Sequence, residues 1–406
     1  MTLTLLVDLD DTLLGNDINK FLPAYLQALG NHLAQYAPQE ILIPTLLSAT
    51  RSMVLNNRPD RRLKEVFDAA FFPALGLKQE DLQEPIDAFY REVFPGLQNL
   101  CQRIPEAARL VDQALARGYR VAIATNPLFP RPAILHSLAW AGIPVDNYDL
   151  PLISSYERFH FAKPNLAYFA ELLGQMGWPD GPVVMVGDDL HNDIEPARRL
   201  GIPAFWISKN GKAPPDATHG PNAGGTLLDL IPWIESLPAS DLTPVYNQPE
   251  AWSAILRATP ASLDSLSEGL PSVAWTEPPR PGEWNLNEIF CHLRDVDAEV
   301  NLPRIRKVLQ EHNPFLPGMD TDPWATERQY ICQNGPEVLE SFTALRIELV
   351  ELLDSLGLED WERPARHAIF GPTHLKELVS ISSGHDRLHL RQAYESLQTV
   401  IGYASA

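Results

Sequence analysis

Short apolar runs and longer amphipathic stretches alternate through the first half of the chain. Leu3 to Leu9 (LTLLVDL), Val121 to Thr125 (VAIAT), Val183 to Val186 (VVMV) and Ala204 to Ile207 (AFWI) are rich in β-branched or aromatic residues and bounded by Gly, Pro, Asp or Asn. Continuous apolar runs of this kind suit strands buried on both faces of a parallel sheet. Between them, Pro105 to Arg117 and Asn165 to Leu173 carry apolar residues at helical spacing, and Gly118 and Gly174 follow as C-terminal stop signals. Strand and helix in alternation predict a Rossmann-like, doubly wound α/β domain whose chemistry belongs at the carboxyl ends of its strands. Residues from about 16 to 103 break the rhythm with helical patterns alone, as an inserted helical cap would.

The strand signal stops near Ile207. Lys209 to Gly225 is rich in Gly, Pro, Asn and Ala, a short helical piece follows at Leu227 to Leu237, and Pro238 to Pro249 has linker composition. Beyond it helical periodicity takes over at Leu286 to Gln310, Glu337 to Leu356 and His374 to Val400, which predicts an all-α four-helix bundle. The expected boundaries are a first domain at 1–237, with a core of 1–15 and 104–237 around a cap at 16–103, a linker at 238–248 and the bundle at 249–406.

Composition narrows the classes. The 406 residues are 45% hydrophobic and 21% charged, ordinary globular values. Their 32 basic and 52 acidic residues leave a formal charge of -20, which repels phosphate backbones and anionic lipid, so neither nucleic acid nor membrane is an expected partner. The start, MTLTLLVDLDDTLL, has no basic segment ahead of its apolar residues. No window reaches the ~18 uncharged apolar residues of a membrane span, and a cytoplasmic protein is expected. Cys101, Cys291 and Cys332 lie far apart with no CxxC, which argues against a disulfide framework and a thiolate zinc site. Any metal falls to His, Asp or Glu.

Candidate chemistry gathers where the strands end. Asp8, Asp10 and Asp11 follow the first apolar run in a DxDxT pattern, and acids at i and i+2 on an extended segment project to one side, where they need a cation or a shared proton. Thr125 and Asn126 close the second run, Lys163 precedes Pro164 at a helix start, and Gly187-Asp188-Asp189-Leu190-His191-Asn192-Asp193 closes the third. In this order and at these intervals, residues 1–210 resemble the haloacid dehalogenase-like hydrolase superfamily, and the insertion is similar to its helical cap of the first class. The resemblance implies that Asp8 attacks the phosphoryl group of a small-molecule phosphomonoester, and that Asp10 protonates the leaving oxygen and later activates water. It further implies that Thr125, Asn126 and Lys163 hold the phosphoryl oxygens. Mg²⁺ is implied at Asp8, the Asp10 main-chain carbonyl and Asp188, with Asp193 beside it or beside Lys163 and Asp189 as the alternative to Asp193. Asp10 favours phosphate over carbon–halogen bonds, because a departing halide needs no proton. Lys64, in NRPDRRLKEVF, reads as a charged helix face rather than a Schiff-base lysine. Arg51, Arg58, Arg61 and Arg62 read as solvated, with contact to an anionic substrate tail as the alternative.

In the second half, His385 and His389 stand at i and i+4, on one side of a helix, and His292 lies in another helical stretch led by Trp284. Three histidines on two facing helices offer three nitrogens to one metal and leave positions open for water. Together with Pro303-Arg304-Ile305-Arg306, His367 before Gly371, and the pattern of His385, Asp386, His389 and Gln392, they make residues 249–400 resemble the DinB-like superfamily of metal-binding four-helix bundles. That resemblance implies Zn²⁺, Ni²⁺ or Fe²⁺ at His292, His385 and His389, and in some relatives the transfer of a low-molecular-weight thiol. Cys291 reads as a small buried hydrophobe. Three readings follow for the whole chain: a phosphatase fused to a metal-binding bundle, a metal- and thiol-dependent transferase centred on the bundle, or a bundle acting as a non-catalytic binding or dimerisation module in a homodimer.

Overall fold

A computed structural model describes residues 2–208 and 223–402, so most of the Gly- and Pro-rich stretch at 209–225 lies outside the described residues. The chain opens with β1 (Thr4–Val7) and the short β2 (Leu14–Asn16), and then enters α1 (Ile18–His32), α2 (Gln39–Val54), α3 (Leu63–Leu75) and α4 (Gln79–Ala88). It returns through β3 (Cys101–Arg103), which pairs antiparallel with β2. The insertion thus stands on a two-stranded stalk too short for hydrophobic alternation to reveal. After α5 (Pro105–Ala116) come β4 (Arg120–Ile123), α6 (Arg131–Ala141), α7 (Leu166–Gln175), β5 (Val183–Gly187), α8 (Glu195–Leu200), β6 (Ala204–Ile207), β7 (Ala223–Gly225) and α9 (Leu227–Ser236). The five-stranded sheet runs β4-β1-β5-β6-β7 with every pair parallel, and β1, β4 and β5 are almost wholly buried, as their unbroken apolar sequence requires.

The second half begins at α10 (Pro249–Ser267) and α11 (Ser272–Thr276). Next come α12 (Leu286–Val296), carried through a π-turn at Asp297–Asn301 into α13 (Leu302–Gln310), and then β8 (Phe315–Leu316) and α14 (Trp324–Glu327). It closes with α15 (Gly335–Asp354), β9 (Pro364–His367), β10 (Gly371–His374) and α16 (Leu375–Ile401). Helices α10, α12, α15 and α16 pack as the four-helix bundle. A small sheet, β10-β9-β8, sits beside it, where the sequence pattern predicts no strands. Its strands are two to four residues long, and β9 and β10 hold prolines, so they lack the β-branched runs that signal a strand.

The two halves share a core. One apolar cluster runs from Phe169, Leu173 and Trp178 beside the sheet into Ile255, Leu263 and Leu390 of the bundle. The approach of α10 to α7 needs Gly174, where a Cβ would lie 2.2 Å from Ser262 Oγ. Buried beside this contact, His160 Nδ1 meets Glu171 at 2.8 Å and its Nε2 meets Asp264 of α10 at 3.3 Å, while Arg62 pairs with the same Asp264 at 2.7 Å. Burial opposes charge on His160, but Glu171 and Asp264 outweigh it and raise the imidazole to about 9. A folded-state value above that of free imidazole makes this pairing fully stabilising below about pH 6.5. The contribution is lost as pH rises through about 9. Thermal melts at a series of pH values are therefore expected to fall more steeply between pH ~7 and ~9.5 for the native chain than for His160→Gln; parallel curves would remove His160 from the docking energetics.

Candidate functional site

Because β1 lies between β4 and β5, the segments that follow these three strands meet at one edge of the sheet. The ladder continues past the strand ends: Asp8 N donates to Val186 O at 2.9 Å and Ala124 N to Val7 O at 2.8 Å. Asp8 is therefore central, with Thr125 to one side and Asp188 to the other. Thr125 is buried, and its carbonyl accepts hydrogen bonds from Ser154 Oγ at 2.7 Å and Tyr168 OH at 2.8 Å, which fix that strand end.

Lys163 arrives from the loop ahead of α7. Its Nζ donates to Asp8 Oδ1 at 2.8 Å and to Asp193 Oδ1 at 2.5 Å, and its main-chain N–H donates to Asn126 Oδ1 at 3.2 Å. Burial opposes the ammonium charge, yet Asp193 and Asp8 outweigh it and hold Lys163 above the usual lysine range. Burial and the Asp8 charge push the Asp193 carboxyl up, against the pull of Lys163. Carboxylate oxygens of Asp8, Asp188 and Asp193 lie within 4.8 Å of one another. Three carboxylates facing one ammonium carry a formal charge of about -2 when ionised, which suits an oxygen-liganded divalent cation. Thr12 Oγ1 donates to Asp188 Oδ1 at 3.4 Å, and Trp206 Nε1 donates to the Asp188 carbonyl at 2.7 Å, so both parts of Asp188 are oriented.

Of Asp189 and Asp193, between which spacing leaves the choice open, it is Asp193 that bonds Lys163. Asp189 caps the following turn, accepting from His191 N at 2.8 Å and Asn192 N at 3.1 Å. Asp193 turns back beneath Gly187, where a Cβ would come within 2.2 Å of its Oδ2. Asp10 lies outside the three-carboxylate cluster and accepts from Asn16 Nδ2 at 2.9 Å. Asp10 is exposed to a cavity that it lines under the cap, and desolvation by the surrounding protein, reinforced by Asp8 and Asp11 against the Asn16 bond, raises its carboxyl to about 6. Asn16 has no motif to announce it; only the return of the chain through β2 brings it to Asp10.

Other expected residues move. Lys64 is not on an outward charged face: it is half-buried, bonded to Asp68 at 2.5 Å, and lines the cavity under the cap. Arg58 pairs with Asp60 at 2.8 Å and with Glu351 of the bundle, and Arg62 pairs with Asp264 and Glu268. Those two arginines bind the insertion to the bundle and do not line the cavity, while Arg51 and Arg61 are exposed.

In the bundle, His292 from α12 meets His385 and His389 from α16. His385 Nε2 lies 3.0 Å from His292 Nε2 and 3.1 Å from His389 Nε2. Burial, reinforced by the neighbouring imidazoles, drives His292 and His385 down to about 3, and burial lowers His389 too, so the rings are neutral. His389 Nδ1 bonds Gln392 Oε1 at 2.9 Å, which places the proton on Nδ1 and turns the Nε2 lone pair toward His385. Neutral imidazoles with converging Nε2 atoms are a donor set that fits Zn²⁺, Ni²⁺ or Fe²⁺. The ring of Trp284 stacks on His389 at 5.9 Å. Beneath lies a network of which only Asp386 belongs to a sequence motif. Fully buried Arg346 of α15 bonds Asp297 at 2.6 Å, Asp386 beside His385, and the Leu256 carbonyl at 2.8 Å. The available signal was an arginine set among the apolar residues of a helical repeat. His367 is elsewhere, on β9, its Nδ1 accepting from Ile369 N at 3.2 Å. Cys291 is buried, and burial pushes its thiol up to about 12, consistent with a packing role.

A parallel sheet with an acidic, lysine-bridged strand edge, joined to a histidine-bearing bundle, defines a two-centre protein of the hydrolase class. Residues 2–201 match the family described as haloacid dehalogenase-like hydrolase, and residues 255–393 match the DinB superfamily. A Bacillus cereus protein carrying the provisional name metal-dependent hydrolase is 27% identical over 143 residues, 34% of this chain and 80% of that protein. Phosphoserine phosphatase of Thermus thermophilus is 30% identical over 145 residues, 35% of this chain and 53% of that protein. Among solved structures, a HAD phosphatase from Thermococcus onnurineus is 20% identical with a TM-score of 0.37, covering 58% of this chain and 98% of its own. Among the described residues, no helix is long and apolar enough to cross a membrane.

Proposed function

We propose that the first domain is a Mg²⁺-dependent phosphatase that hydrolyses a small-molecule phosphomonoester through an aspartyl-phosphate. The observation that carries this reading is Asp8, held at the centre of three strand ends within 2.8 Å of Lys163, with Asp10 beside it lining a cavity. In the first half-reaction a carboxylate oxygen of Asp8 bonds to phosphorus as the ester P–O bond breaks, and Asp10 gives its proton to the leaving oxygen, releasing the alcohol. In the second, Asp10 takes a proton from water as the water oxygen bonds to phosphorus, and the Asp8–phosphorus bond breaks to release phosphate. Lys163 and Thr125 hold the phosphoryl oxygens, and Asn126 and Asp193 position Lys163. Mg²⁺ would be held by Asp8, the Asp10 main-chain carbonyl, Asp188 and Asp193, and when bound it offsets the repulsion between the carboxylates and a phosphate dianion. Hydrolysis of 4-nitrophenyl phosphate by the full chain is expected with Mg²⁺ and is expected to stop on chelation; no turnover across a broad phosphate panel would overturn the reading.

Gly187 gives a more local test. Gly187→Ala forces Asp193 and then Lys163 away from the phosphoryl position, with an expected loss of about 10²-fold in kcat/KM. Steady-state kinetics beside a thermal melt check this, and unchanged kinetics would show that Asp193 has no positioning role.

The bundle is a second, independent metal centre in this proposal, with His292, His385 and His389 as ligands for Zn²⁺, Ni²⁺ or Fe²⁺. The convergence of three neutral imidazoles supports it, and the provisional name of the Bacillus cereus relative favours hydrolytic chemistry there over thiol transfer.

A further inference from the structure

The cavity beneath the cap has a chemistry that the phosphatase reading leaves unused. It measures about 290 Å³ and is continuous with Asp10, Thr125 and Asn126 at its floor. Its walls come from the cap and from the loop after β4, and include Phe21, Leu22, Tyr25, Leu26, Phe67 and Phe129. Tyr25 and Phe129 meet edge to face at 5.3 Å, and Phe67 stacks on Phe71 at 4.8 Å, so ring faces and edges make up much of the surface. At the opening, Ile18 and Leu47 are apolar side chains 54% and 44% exposed, an expensive arrangement unless an apolar ligand passes there.

The charged and polar groups on these walls are largely occupied. Lys64 bonds Asp68 at 2.5 Å, the Tyr25 and Tyr90 hydroxyls bond each other at 2.8 Å, and Thr50 Oγ1 donates to the Leu46 carbonyl at 2.9 Å. No arginine is among the lining residues, and Arg58 and Arg62 are committed to carboxylates at the bundle. A second carboxylate, a second phosphate or a polyol entering this space would lose its water and find few free partners. An aromatic or branched aliphatic group loses nothing and covers apolar wall.

Resting on the phosphatase reading, we infer that the substrate is the phosphomonoester of a bulky apolar alcohol, one or two rings or a branched chain in size, whose alcohol portion fills this cavity while its phosphate lies on Asp8 and Lys163. Differential burial of the leaving group then selects among esters of equal chemical reactivity.

The test uses the full chain with Mg²⁺ and esters of primary alcohols with comparable leaving-group acidity: 2-naphthylmethyl phosphate, ethyl phosphate and O-phosphoserine, with 4-nitrophenyl phosphate as the general phosphatase control. We expect kcat/KM for the naphthylmethyl ester to exceed that of both small esters by about a hundredfold. Leu26→Gln, on a half-buried wall position, is expected to lower the ratio of naphthylmethyl to ethyl kcat/KM about tenfold, and Leu26→Met to restore it, with thermal melts excluding unfolding. Equal or greater kcat/KM for O-phosphoserine or ethyl phosphate, with 4-nitrophenyl phosphate still hydrolysed, would overturn the apolar class and leave the phosphatase reading intact. Failure of all four esters would overturn the phosphatase reading and the class together.

Discussion

Asp8→Asn is expected to lower kcat/KM for 4-nitrophenyl phosphate by about 10⁴-fold or more, with the fold retained. The amide keeps the size of the carboxylate and loses the anionic oxygen that bonds to phosphorus. Retention of the fold follows from the same geometry. Removing one of three crowded carboxylates relieves repulsion with Asp188 and Asp193, and Lys163 keeps its 2.5 Å bond to Asp193. Initial rates with Mg²⁺, combined with a thermal melt, check both halves of the expectation. Rapid acid quenching of the native chain during turnover should also trap phosphate on the protein, and the variant should trap none. Activity in Asp8→Asn within about tenfold of the native chain would mean that the nucleophile lies elsewhere.

The second large effect concerns the bundle. His385 stands between the other two histidines, 3.0 Å from one Nε2 and 3.1 Å from the other, so His385→Ala removes the shared member of the set. Purified native chain is expected to hold about one transition metal ion, and the variant less than about a tenth of that, measured by elemental analysis of the full-length protein. Binding to the folded state alone also adds stability of about 4 kcal/mol when free metal is about a thousand times its Kd. Chelation should therefore lower the melting temperature of the native chain and leave that of His385→Ala unmoved. An unchanged metal content in the variant would overturn the three-histidine site.

Much of the first site was legible because its residues are tied to local pattern. A strand buried on both faces must be apolar, so Asp8 and Asp10 are conspicuous where Leu5, Leu6 and Val7 stop, and Asp188 is conspicuous after Val186. The histidine pair was legible for a similar reason, since i and i+4 share a helix face. Arg346 and Asp297 were not legible, because each owes its role to a partner distant in sequence, and Asn16 was not, because its bond to Asp10 depends on how the chain turns between them; each residue type is ordinary where it stands. Arg62 shows the limit of reading charge in one dimension. In sequence it belongs to a basic run, yet its partners Asp264 and Glu268 lie on and beside a helix two hundred residues away.

The sequence by itself determined the alternation that makes the parallel sheet, the helical periodicity of the bundle, and the residue types that carry chemistry at strand ends and on helix faces. These are short-range properties, set by the period of side-chain direction along each element. Tertiary structure alone decided that Asp193 rather than Asp189 reaches Lys163, that His292 meets the pair on α16, and that α7 and α10 close over a common core. It also decided that the cap presents an apolar wall rather than arginines to the strand edge. Those outcomes depend on which faces pack together, and packing is fixed by burying apolar surface across the whole chain at once, a sum that no local window contains.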